Sequence, residues 1–127
     1  MRIRHINTDL EIESRSDLSP LIKWFEDEGI GSLGSYKSRG VYYAAFEFVV
    51  EVGDPESLIE QFCMYISSLD GELKTLWEGC CKKVFDIGFG YEESDKPVKL
   101  ETTVTEKTIS RVAGLGASIA ITIYPSE

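Results

Sequence analysis

The run Val41-Tyr42-Tyr43-Ala44-Ala45-Phe46-Glu47-Phe48-Val49-Val50 constrains the fold more than any other stretch of the chain. It is β-branched and aromatic, with Glu47 as its one charge, so it lacks the 3.6-residue stripe of an amphipathic helix. Its nearly continuous apolar character predicts a strand held centrally in a sheet. The longest unbroken apolar part, Val41–Phe46, is far short of the roughly 20 residues a bilayer span requires, and no membrane association is expected.

The other elements follow from shorter signals. Leu10 and Ile12 alternate with Asp9, Glu11 and Glu13, the period of a half-buried strand. Ser19-Pro20 reads as a helix start with Ser19 as N-cap; Leu21, Ile22, Trp24 and Phe25 form its apolar face, and Gly29 its left-handed end. Residues 29–40 are rich in Gly and Ser and have no period, which predicts a loop. Behind Asp54-Pro55, the residues Leu58, Ile59, Phe62, Cys63, Ile66 and Leu69 recur at helical spacing until Asp70-Gly71. Leu73, Leu76 and Trp77 suggest a short helix up to Gly79, and Lys83–Tyr91 reads as a strand whose Gly88 and Gly90 mark a bulge or an edge.

After a polar turn at 92–97, Val98, Leu100, Thr102 and Val104 point to one side of another strand. Thr105 then caps a helix facing inward through Ile109, Val112, Ala113 and Leu115, and Ser118–Tyr124 forms a last strand. The order predicts an α+β fold: a single mixed sheet of about five strands with two to four helices packed mainly on one face. At 127 residues the chain suits one domain spanning 1–127.

Charge narrows the partners. With 13 Lys and Arg against 22 Asp and Glu the net charge is −9, unsuited to nucleic-acid phosphates. Met1-Arg2-Ile3-Arg4-His5 has no apolar run behind it, so no signal peptide is expected. Three cysteines, two of them adjacent (Cys63, Cys80 and Cys81), read as reduced thiols of a cytoplasmic protein rather than a disulfide framework. His5 is the only histidine, which leaves no finger-like metal set and no expected cofactor.

No catalytic motif emerges. Gly29-Ile30-Gly31-Ser32-Leu33-Gly34 matches the dinucleotide pattern, but a helix precedes it and a strand follows, so no helix N-terminus meets a phosphate. Lys82-Lys83 beside Cys80-Cys81 would favour a thiolate, yet the cysteines end a helix, where the dipole opposes one. Glu11 and Glu13 share a strand face without an evident third group. The chain is read as non-enzymatic.

Acidic residues cluster: residues 51–100 hold eleven acids against five bases, and Glu26-Asp27-Glu28 and Glu92-Glu93-Ser94-Asp95 are tight groups beside turns. Such groups suit a basic protein partner, with tyrosines as anchors. The candidate partner-binding residues are therefore Glu26, Asp27, Glu28, Tyr36, Tyr91, Glu92, Glu93 and Asp95.

Pro55–Leu69, Lys83–Phe89 and the capped helix and strand over Thr105–Tyr124 resemble small bacterial domains of unknown function found singly or beside toxin genes. The likeness covers about half of the chain and implies a bacterial cytosolic protein similar to immunity proteins of toxin–immunity systems. On that resemblance the expected function is occlusion of a cognate, basic, nuclease-like toxin by an acidic surface. The other reading is a small-molecule-binding or regulatory domain whose 29–40 loop closes over a ligand beside Tyr36 and Tyr42. An outer strand with a self-complementary edge would also permit a homodimer.

Overall fold

Alternation in the first strand sets the two sides of the molecule. The computed structural model describes residues 2–49, 53–93 and 99–125, and in it β1 (Arg2–Ser14) runs for 13 residues through the middle of the sheet. Thr8, Leu10, Ile12 and Ser14 are buried on one side, while Asp9, Glu11 and Glu13 turn to the other. After β1 come α1 (Ser19–Asp27), β2 (Ile30–Ser38), β3 (Val41–Phe48), α2 (Pro55–Ser67), α3 (Gly71–Glu78), β4 (Lys82–Glu92), α4 (Glu106–Gly114) and β5 (Ser118–Pro125). The fold is α+β: one mixed sheet of five strands, ordered β2-β3-β1-β4-β5, with four helices. Every pairing is antiparallel except β4 with β5. The parallel pair is joined through α4, as a crossover connection requires.

The helices share a single apolar cluster with the inner side of the sheet. Phe25 of α1 lies 4.5 Å from Phe46 of β3, and Phe62 of α2 sits 4.5 Å from Phe48 and 5.7 Å from Phe85 of β4, measured between ring centres. The stripe expected on α2 is the stripe that is buried: Leu58, Ile59, Phe62, Cys63 and Ile66. Trp77 of α3 is buried too, and its indole donates to the Leu115 carbonyl at 3.1 Å.

Four expectations are corrected. Residues 30–38 are not a loop: β2 is paired to β3 along its length, and its main chain needs no side-chain alternation because it is an outer strand with mostly exposed residues. Arg39 (φ 53°) and Gly40 (φ 80°) close this hairpin, the two positive φ values that a two-residue hairpin turn demands. No strand forms over 99–105, where the chain leads irregularly into α4; Val98 lies outside the described residues. Leu18, not Ser19, is the N-cap of α1, because the Ser19 amide and hydroxyl both donate to Asp17.

The inner face of α4 is rotated as well. Thr108 and Val112 are buried while Ile109 is 50% exposed. The Thr105 amide donates to Glu56 Oε1 at 2.6 Å, and the Thr108 hydroxyl lies 2.9 Å from carboxylate oxygens of both Glu56 and Glu60. Polar contacts along the α2–α4 seam, rather than the apolar count, orient this helix.

Candidate functional site

Among the described residues no element covers the second side of the sheet, which carries the side chains that face away from the core in β1, β3 and β4. In register, Glu13 lies between Tyr43 and Lys82, Glu11 between Ala45 and Val84, and Asp9 opposite Asp86. Glu47 follows two residues after Ala45 on the same side of β3. Asp9, Glu11, Glu13, Glu47 and Asp86 thus share one face, each half-buried among its strand neighbours. Lys82 bridges to Glu13 at 3.3 Å, Asn7 donates to Asp9 at 3.2 Å, and the Thr122 hydroxyl donates to Asp86 at 2.7 Å. Like charges directly opposite each other, as at Asp9 and Asp86, work against the sheet, so this face is not arranged for stability alone.

An aromatic wall borders the acids. Tyr36 of β2 stacks on Tyr43 of β3 with ring centres 4.6 Å apart and planes 7° from parallel. Because Ala45 is small, a shallow cavity of about 240 Å³ opens between this stack, Glu11, Glu13 and Lys82. The depression combines carboxylates, an ammonium group and aromatic rings on a rigid strand platform. Such a surface can seat cationic side chains and shield them from water.

The candidate residues are dispersed rather than gathered. Tyr36 belongs to the open face just described. Glu26, Asp27 and Glu28 are exposed at the C-terminal end of α1 on the helix side, where Asp27 pairs with Lys23 at 3.2 Å. Tyr91 is half-buried at the end of β4, beside Phe89 and Ile3, with Glu92 and Glu93 exposed after it; Asp95 lies outside the described residues. Ile30, next to the first acidic group, is opposite Phe48, whereas Glu92 is opposite Arg2 at the far end of β1. At about 3.3 Å per residue these levels differ by roughly 20 Å along the strands, with β3 and β1 between them. The two acidic groups are separate surfaces.

In the sequence Glu11 and Glu13 share a strand face with nothing evident to set against them. Antiparallel pairing supplies what was missing, since Tyr43 and Lys82 arrive opposite Glu13 and Asp86 opposite Asp9, from strands 30 to 77 positions away. Period-2 acidity at 9, 11 and 13 was the available signal.

Elsewhere, His5 is part-buried in β1, with Nε2 2.8 Å from the Thr8 hydroxyl and its ring edge-on to Phe89. Burial pushes the Cys80 thiol up to about 11, against the pull of Lys83, so this thiol is protonated at neutral pH. Gly29–Gly34 leads from a helix into β2. Among the described residues no group of three His, Cys, Asp or Glu side chains could hold a metal ion, and no helix is long and apolar enough to cross a membrane. No protein-family model, curated protein or solved structure matches the chain.

Proposed function

We propose that this chain is a non-catalytic binding protein that neutralises a basic protein, in the manner of a bacterial immunity protein covering a nuclease-like toxin. The observation that carries the reading is the uncovered face of the sheet, where five carboxylates from three strands lie beside the Tyr36–Tyr43 stack. Lysine and arginine side chains of a partner would enter between Glu11, Glu13 and Glu47. Their charge would be met by carboxylates already partly withdrawn from water, where each pair is worth more than at a free surface. The tyrosine wall excludes solvent from those pairs, and the net charge of −9 speeds the encounter. A toxin that grips phosphates with cations would lose them to this face. The exposed groups 26–28 and 92–93 extend the negative field around it.

Affinity capture from the source cells, at low and high salt, tests the reading. One bait is the wild-type chain, a second carries Glu11→Gln, Glu13→Gln and Glu47→Gln, and a third carries Glu26→Gln, Asp27→Asn and Glu28→Gln. The expected outcome is one basic protein, released by salt, retained by the third bait and lost from the second. Capture of an acidic or neutral protein, or equal capture by all three baits, would refute it.

A further inference from the structure

Strand β5 closes the sheet on the side opposite β2, and the two outer strands are built differently. Long, neutral outer strands leave a row of unpaired N–H and C=O groups, which proteins usually blunt with charges, bulges or kinks. β2 has these devices: Lys37 along it, and a break in register between Ser32 and Gly34. β5, Ser118-Ile119-Ala120-Ile121-Thr122-Ile123-Tyr124-Pro125, has no charged residue and no irregularity ahead of the Pro125 that ends it, and β4 is its one strand partner among the described residues.

Its side chains are equally unguarded. In the parallel register Ile119, Ile121 and Ile123 lie level with Phe85, Ile87 and Phe89, on the helix side of the sheet. Phe85 and Ile87 are covered there, but Ile121 is 65% and Ile123 62% exposed. Helix cover reaches Ile119, which packs against the core, but not Ile121 or Ile123. Beside the two isoleucines an open, mostly apolar groove of about 520 Å³ is walled by Ile3, Phe89, Tyr91 and Leu100, with Glu101 and Thr102 also lining it.

We infer that the occupant of this edge is a second copy of the chain, with two β5 strands pairing antiparallel about a two-fold axis near Thr122. Charge selects the copy over a basic partner. A cationic protein would find no carboxylate on β5 and, among the described residues of the groove, only Glu101, already bridged to Lys99 at 3.6 Å, while two chains of charge −9 repel each other least where acids are this scarce. A two-fold axis perpendicular to the sheet keeps the faces matched, so Ile121 meets Ile123 of the second copy and the reverse. On the other face Thr122 lies opposite its own copy and the small Ala120 opposite Tyr124 of the second copy. The product is a continuous ten-stranded sheet whose two acidic faces lie side by side, so the acids of each copy are not pressed against the other's.

Sedimentation equilibrium of the full chain, from low to high micromolar concentration, tests this. The wild type should dimerise in that range. Ile121→Lys and Ile123→Glu, placed at exposed side chains, should each weaken self-association about tenfold or more while leaving the circular dichroism unchanged. Mixing the two variants should restore the dimer mass, because the introduced lysine of one copy then lies opposite the introduced glutamate of the other; Ile121→Glu alone serves as an independent check. A wild type that stays monomeric, a dimer undiminished in the charged variants, or no dimer on mixing would each overturn the inference.

Discussion

At Gly88 the neighbouring strand dictates the residue. A Cβ there would come within 2.5 Å of Asn7 Oδ1, and at Gly90 within 2.7 Å of Ile6 Cδ1. The bulge lies in β1, between His5 and Asn7, and the glycines of β4 make room for the side chains it displaces. Gly88→Ala should therefore cost about 1 kcal/mol by crowding. Asn7→Ala in the same chain should recover part of it, read as a coupling term from denaturant melts; additive losses would contradict the contact. Phe62 stands at the opposite extreme, fully buried between Phe48 and Phe85, and Phe62→Ala should cost about 3–5 kcal/mol in the same melts. Of the free thiols, Cys63 and Cys80 are buried and raised in pKa by that burial, whereas Cys81 is exposed. A thiol reagent at neutral pH should label Cys81 rapidly and the other two only after unfolding; rapid labelling of Cys80 would show that its burial is wrongly described.

At the scale of elements, Asp54 is the clearest local determinant. Its carboxylate accepts from the Ser57 amide at 2.9 Å, which caps α2 and holds the acid below its ordinary value. Glu56 is held down likewise, by the hydroxyl and amide of Thr105 and the hydroxyl of Thr108. A folded pKa below the unfolded one adds stability above the ordinary carboxylate range, and that addition disappears as pH falls through the folded value. Asp54→Ala should cost about 1 kcal/mol at neutral pH. The difference from wild type should shrink below about pH 4, as thermal melts across a pH series would report; a pH-independent difference would remove the charge from the explanation. The cap, the α2 stripe and the alternation of β1 were legible because each is written in residues close in sequence. β2 was not, since an outer strand is stabilised by main-chain bonds that Gly and Ser make as well as any residue. The hydrophobic alternation at 98–104 does not become a strand: from 99 the chain leads irregularly into α4, and Leu100 is set beside Tyr91 and Ile123 instead of into a ladder. The run 41–50, expected at the centre of the sheet, forms β3 over Val41–Phe48, an inner strand next to the outer β2; β1, with its 13 residues, is the strand at the centre.

For the whole molecule, the separation of a helix-covered side from an acidic side that no described element covers is the property on which the proposed function rests. The tight acidic groups visible in sequence are surface features at two remote places, while the more concentrated face is assembled by strand pairing and could not be read without it. If function resides in that face, its negative potential must appear in the energetics of binding. The decisive measurement is the affinity for the captured basic partner across a salt series, for wild type and for the Glu11→Gln, Glu13→Gln, Glu47→Gln variant. The account predicts that wild-type affinity falls steeply with salt and that the variant binds at least tenfold more weakly with a shallower slope. Equal affinities with parallel slopes would contradict it.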